Sequence, residues 1–226
     1  MSDPMHSSLT DIRQGIEGIR RALGRETQAP LTNPRPAVYP AYQAKTPAES
    51  TAAFLVEIGK LSGVGKNVTP ASLPVDFSAL VSENNIQKAV VWHSDWFTEL
   101  GIENSLRSLG VELVSPNADK LEMAQCDLGI TSADYLLPET GTLVLRSSAE
   151  KPRAVSLLPR MHLAIVRPEM LRADLHQVFA EAKDSHYLVF ITGPSRTADI
   201  ELTTTLGVHG PKNLFVWMMP QNGGSS

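Results

Sequence analysis

The chain has one cysteine, Cys126, among 226 residues. It can form no internal disulfide, and one thiol cannot ligate an iron–sulfur cluster or a structural zinc. That usage suits a reducing, cytoplasmic setting. Positive charge is also scarce: 20 Lys and Arg against 24 Asp and Glu leave a formal net charge of −4. A nucleic-acid-binding protein usually shows the opposite balance, so none is expected as a partner. No apolar run approaches the roughly 20 residues of a membrane helix. The opening Met-Ser-Asp-Pro lacks the basic-then-apolar order of a secretory signal.

Several chemical signatures are missing as well. The six histidines contain no HxxxH or HExxH spacing, there is no GxGxxG, and Ser195 has no GxSxG frame. Gly63-Val-Gly-Lys66 suggests a phosphate loop, but the Walker spacing puts Lys60 where glycine is needed and Asn67 where Ser or Thr is needed. The stretch reads as a helix C-cap and loop. Asp199, Glu201 and His209 carry metal-ligating atoms, yet such mixtures are common without metal, and no metal site is expected.

What is present is a 42% hydrophobic composition, enough for a sizeable core. Leu9, Ile12, Ile16, Ile19 and Leu23 repeat at spacings of three and four, the narrow stripe of a docking or coiled-coil helix. Gly15 and Gly18 weaken that helix, so it needs a covering surface: its own domain, a partner, or a second copy in a homo-oligomer. Pro30, Pro34, Pro36, Pro40 and Pro47 then mark an extended arm. The expected division is 1–46, helix and proline-rich arm, and 47–226, an α/β domain. Thr46, Pro47 and Glu49 have the spacing of a helix N-cap, N1 proline and capping box, followed by the stripe Phe54, Leu55, Ile58, Leu61.

Strands are expected at 89–92, 111–114, near Leu128, and at 142–146, 154–158, 162–166, 187–191 and 214–217. Helices are expected at 103–109 and along Leu171, Leu175, Val178, Phe179 and Ala182. The alternation gives an α/β class with a mostly parallel sheet, flanking helices and an antiparallel hairpin part.

Two polar stretches interrupt this apolar pattern. Gly129-Ile-Thr-Ser-Ala-Asp-Tyr-Leu-Leu-Pro-Glu-Thr-Gly-Thr142 holds Thr131, Asp134, Glu139, Thr140, Gly141 and Thr142 around a turn, more hydroxyls and carboxylates than a hairpin requires. Thr192-Gly-Pro-Ser-Arg-Thr-Ala-Asp-Ile-Glu201 and Gly207-Val-His-Gly-Pro211 form the second. Together they suggest one composite site, placed at a carboxyl end of the sheet because Thr192 follows a strand. Gly193, Ser195 and Arg196 offer amides and a guanidinium to an anion, particularly if a helix starts near Thr197. The rival reading pairs Arg196 with Asp199 or Glu201 in a capped turn. Glu139 is either an exposed turn residue or a carboxylate acting as nucleophile, base or ligand orienter. Asp134, Asp199, His209 and Gly210 complete the candidate set.

The motifs Gly129-Ile-Thr-Ser-Ala-Asp134, Glu139-Thr-Gly-Thr142, Thr192-to-Glu201 and Gly207-Val-His-Gly-Pro211 resemble the LUD domain family. The resemblance covers roughly residues 47–226. It implies a fold related to ribose-phosphate isomerases and CoA transferases. It also implies a part in oxidising L-lactate to pyruvate beside iron–sulfur-cluster-bearing lactate-utilisation proteins, with this chain the cluster-free component. The resemblance names no cofactor. Assigning Glu139 the nucleophile role of CoA-transferase relatives is analogy of fold alone; a stand-alone transferase or isomerase and a non-catalytic interaction or sensor protein are the alternatives.

Overall fold

The computed structural model describes residues 14–24, 46–185, 187–198, 204–206 and 210–220. The chain divides into two compact units, 1–42 and 43–226. In the first, helix α1 spans 14–22, and Ile16, Ile19 and the following Leu23 are exposed. Leu9 and Ile12 lie outside the described residues.

The second unit opens on α2 (Pro47–Lys60), and its start forms as the sequence implies. Thr46 Oγ1 accepts from the Glu49 amide at 3.2 Å, and Glu49 Oε2 accepts from the Thr46 amide at 2.8 Å. Phe54 and Ile58 point into the core.

The centre is a six-stranded, fully parallel sheet of β1 (Val64–Asn67), β2 (Lys88–Val91), β3 (Glu112–Val114), β4 (Leu128–Thr131), β7 (Met161–Val166) and β11 (Asn213–Met218). Its spatial order is β1-β11-β7-β4-β2-β3. Every residue of β4 and β7 is buried, as expected for parallel strands covered on both faces. Helices α3 (Leu73–Asn84), α4 (Asp95–Glu99), α5 (Ile102–Ser108), α6 (Lys120–Ala124) and α7 (Ala154–Leu157) belong to the connections, and α8 (Leu175–Glu181) precedes β8. Phe77 of α3 meets Trp217 of β11 edge to face, 4.8 Å between ring centres.

A second, antiparallel sheet has the order β5-β6-β8: β5 (Tyr135–Leu137), β6 (Thr142–Arg146) and β8 (Leu188–Ile191). A short antiparallel pair joins β9 (Arg196–Ala198) to β10 (Thr204–Leu206). No described helix is long and apolar enough to cross a membrane.

Three expectations need correction. Residues 154–157 form helix α7, not a strand; so short an apolar run carries no period that separates the two. In the stretch 63–66, expected as a helix C-cap and loop, residues from Val64 onward belong to edge strand β1 beside β11. Strand β8 is not part of the parallel sheet but edges the antiparallel one, where Phe190 keeps 41% of its surface exposed.

Candidate functional site

The two polar stretches meet. Pairing of β6 with β8 sets Leu143 opposite Ile191, which brings the residues just outside that pair together. Thr142 Oγ1 lies 2.8 Å from Thr192 Oγ1, and Thr140 Oγ1 lies 2.7 Å from Thr142 Oγ1. Both turns rest on the end of α2. Gly141, at φ +61°, leaves room for a Cβ only 3.0 Å from the Glu57 backbone, and Gly193, at φ +86°, stands equally close to Leu61. A side chain at either position would be strained and would push on the helix.

Arg196 is committed to the same helix end. Its Nη2 donates to the Leu61 carbonyl at 2.6 Å and to Ser62 Oγ at 2.9 Å. A guanidinium there satisfies a terminal carbonyl and complements the negative end of the helix. Asp199, Glu201 and His209 lie outside the described residues. Among the described residues no helix follows the loop: residues 196–198 are strand β9, and the Ser195 amide donates to the Pro211 carbonyl at 2.9 Å. A strand thus stands where a helix was expected to begin near Thr197. Arg196→Ala should lower stability by about 1 kcal/mol, since the guanidinium is exposed and its charged bond is weakened by water. A melting curve checks this, and an unchanged midpoint would remove the capping role.

The other expected residues divide clearly. Thr131 is fully buried, and its Oγ1 lies 2.8 Å from His162 Nε2. Asp134 sits at the far end of the hairpin from the Glu139 turn, because Tyr135 pairs with Val144 while Leu137 pairs with Thr142. Its Oδ2 accepts from the Arg146 amide at 2.7 Å, and its Oδ1 is 4.0 Å from Lys151 Nζ. Asp134 is thus a brace for the strand junction, away from the threonines. Glu139 is exposed on its turn, with no hydrogen bond or ion pair to the described residues.

His162 is the residue whose role sequence reasoning missed. It sits at 1% exposure inside the six-residue buried strand Met161–Val166, opposite Gly129 in register. Burial pushes its pKa down to about 3, so the ring is neutral at pH 7. Its Nδ1 has no hydrogen-bond partner among the described residues, a property shared there only with Arg146 Nε among buried side-chain nitrogens and oxygens. The signal was legible: one histidine in an otherwise apolar strand facing a glycine.

His162 lines a cavity of about 180 Å³ together with Ser156, Thr192, Gly193, Ser195 and Gly210, with Leu157, Phe190 and Leu214 as apolar walls. Gly210 is needed small, since a Cβ there would stand 3.0 Å from Ser195 Cβ. Three of the expected residues, Gly193, Ser195 and Gly210, therefore line one hollow. Thr131 stands behind it through His162, and Thr140, Gly141 and Thr142 reach it through Thr192. The described lining has hydroxyls, peptide groups and one neutral imidazole, and no charged side chain. Such a wall fits a small polar ligand with an apolar side. A separate hollow of about 140 Å³ lies past the carboxyl end of β2, lined by Trp92, His93 and Glu103 among others. Open α/β sheets commonly bind ligands in that position, but neither buried nitrogen without a partner belongs to its lining. Among the described residues no cluster of three or more His, Cys, Asp or Glu could hold a metal.

Comparison with known proteins gives this geometry a family. Residues 41–219 match the LUD domain. A protein named lactate utilization protein C from Shouchella clausii is 33% identical over 156 residues, covering 65% of this chain and 68% of that one. Its namesake from Halalkalibacterium halodurans is 36% identical over 143 residues, covering 58% of this chain and 62% of its own length. A crystal structure of a DUF162 family protein from Deinococcus radiodurans shares the fold with a TM-score of 0.60 at 23% identity, covering 78% of this chain and 99% of that one. With its family match running through α2, both sheets and the cavity-lining loops, the chain belongs to the LUD domain family.

Proposed function

We propose that the chain serves lactate utilisation as the cluster-free component of a cytoplasmic system that oxidises L-lactate to pyruvate, and that it holds a small carboxylate in the His162 cavity. The names of the relatives support the pathway. The observation that carries the site is the junction of Thr142 with Thr192, 2.8 Å apart, beside a cavity that holds a neutral, incompletely bonded histidine. The lone Cys126 is buried, with its thiol pushed up to about 11 by desolvation, so it supplies neither a cluster ligand set nor a reactive thiolate. Iron–sulfur-cluster-bearing partners would supply the cluster chemistry that this chain's single cysteine does not. The exposed Ile16 and Ile19 of α1, with Leu23 just after it, are the surface such partners would cover.

Binding here would rely on neutral donors. Thr192 and Ser195 offer hydroxyls to the carboxylate, while Leu157, Phe190 and Leu214 exclude bulkier or more polar groups. Glu139, exposed and outside the cavity lining, would act as a ligand-orienting carboxylate rather than as a buried nucleophile. The test is Ser195→Val, which fills the hollow and removes a donor. In a strain lacking the gene, the variant should restore lactate-dependent growth at least tenfold less well than wild type, with a near-native melt and unchanged co-purification of the cluster-bearing partners. Full growth would remove the cavity from the function.

A further inference from the structure

We propose that the crevice past the carboxyl ends of β2 and β3 is a second binding site, and that its ligand is an uncharged ribonucleoside. The site is separate from the His162 cavity and stands whether or not a carboxylate binds there.

Its place in the sheet is the first argument. Strand β2 lies between β3 and β4. The chain leaves β2 toward β3 and leaves β4 toward β7, on the other side. The direction of winding therefore reverses beside β2, and open parallel sheets bind ligands outside the carboxyl ends of strands at such a reversal. Two hollows lie there, of about 140 and 250 Å³. Both are lined by His93, just past β2, and by Glu103 of α5. The crevice thus has two compartments that share an imidazole and a carboxylate.

The compartments differ in chemistry. The larger has Val91, Leu113, Val114 and Pro116 as apolar walls, with Arg107 and Ser115 as polar company. An apolar slot beside a guanidinium suits a flat heterocycle that carries acceptor atoms. The smaller is lined by Ser94, Thr98 and Asn104, which are uncharged and able to hydrogen-bond. Between them stands Glu103, partly buried, whose Oε2 accepts from Arg107 Nη2 at 2.9 Å. That bond steadies the carboxylate, and a carboxylate keeps further lone pairs for hydroxyl donors. A vicinal diol delivers two such donors side by side. Heterocycle, diol and one further hydroxyl, in that order, make a ribonucleoside. Glu103 borders both compartments, and among the described residues the smaller has no lysine or arginine in its lining. Its negative charge therefore works against a phosphate in place of the terminal hydroxyl.

The experiment follows backbone amide shifts of the full chain by NMR, with adenosine and uridine as the purine and pyrimidine probes. At millimolar concentration at least one of them should shift the His93, Ser94, Glu103 and Ser115 amides and leave those of Thr192, Gly193 and Ser195 in place. The matching 2′-deoxynucleoside should bind wild type at least about tenfold more weakly, because it lacks one of the two donors. Glu103→Gln, checked by a near-native melt, should weaken binding of the ribonucleoside by a similar factor, and so should a 5′-phosphate on the ligand. No shift at the crevice with either nucleoside would overturn the site. Equal binding of the 2′-deoxynucleoside by wild type would overturn the diol contact, as would equal binding of the ribonucleoside by Glu103→Gln. A 5′-monophosphate that binds as tightly as its nucleoside would overturn the uncharged ligand. L-lactate enters none of these arms, so their failure leaves the His162 cavity reading intact.

Discussion

Gly129→Ala is expected to destabilise the protein by about 3 kcal/mol or more, lowering the melting midpoint by on the order of 10 °C for a chain of this size. A Cβ on Gly129 would lie 1.9 Å from the Val155 carbonyl oxygen and 3.0 Å from Pro159 Cγ. The obstacle is backbone, which cannot rotate away as a side chain can. Helix α7 would have to lift from β4, a strand buried along its whole length between β2 and β7. The cost is steric, since Gly129 is not among the glycines at positive φ. Gly59→Ala is the control: it lies inside α2 with nothing within 4 Å of the added carbon, and should be neutral or stabilising by up to about 1 kcal/mol. A near-native melt for Gly129→Ala would show that α7 does not rest on β4 as described.

The second large effect is on acid stability. Folded His162 stays neutral down to about pH 3 through burial, against an ordinary value of 6.5. Below 6.5 the unfolded chain takes up a proton that the folded chain refuses, so stability falls as pH falls. Above 6.5 the group contributes no pH dependence. Between these limits the slope is about 1.4 kcal/mol per pH unit. Asp76 and Glu181 have lowered pKa values through Lys66 with Ser72 and through Arg172 respectively, so they too lose stabilisation in acid, but in the carboxylate range. The clean window is therefore about pH 6.5 to 4.5. Across it, denaturant titrations should show wild type losing roughly 2–3 kcal/mol more than His162→Gln. Parallel curves would mean that His162 is solvated or already charged in the folded protein.

How much of this was legible in the sequence depends on how local each signal is. The start of α2 was readable because Thr46, Pro47 and Glu49 make a capping box within four consecutive residues. The parallel sheet with a separate antiparallel part, and the meeting of the Glu139 turn with the Thr192 loop, were readable from alternation and from the density of hydroxyls. What could not be read were choices made by distant packing. Residues 154–157 form α7, which packs so closely on β4 that only a glycine at 129, far away in sequence, leaves room for the Val155 carbonyl. Strand β8 leaves the parallel sheet because β6 pairs with it, a choice that strand composition does not encode. Arg196 stood beside a loop that resembled an anion cradle, yet its partner is the Leu61 carbonyl at the end of α2. Asp134 shares a motif with Thr131, but Thr131 ends β4 of the parallel sheet while Asp134 precedes β5 of the antiparallel one, and they have different partners.

The claim that most needs a direct test is that a small carboxylate sits against His162. A crystal structure of the full chain grown with L-lactate, at a concentration that saturates binding in solution, would provide it. Ligand density is expected in the cavity lined by His162, Thr192, Ser195 and Gly210. Density instead past the carboxyl end of β2, beside His93 and Glu103, with the His162 cavity empty, would contradict it.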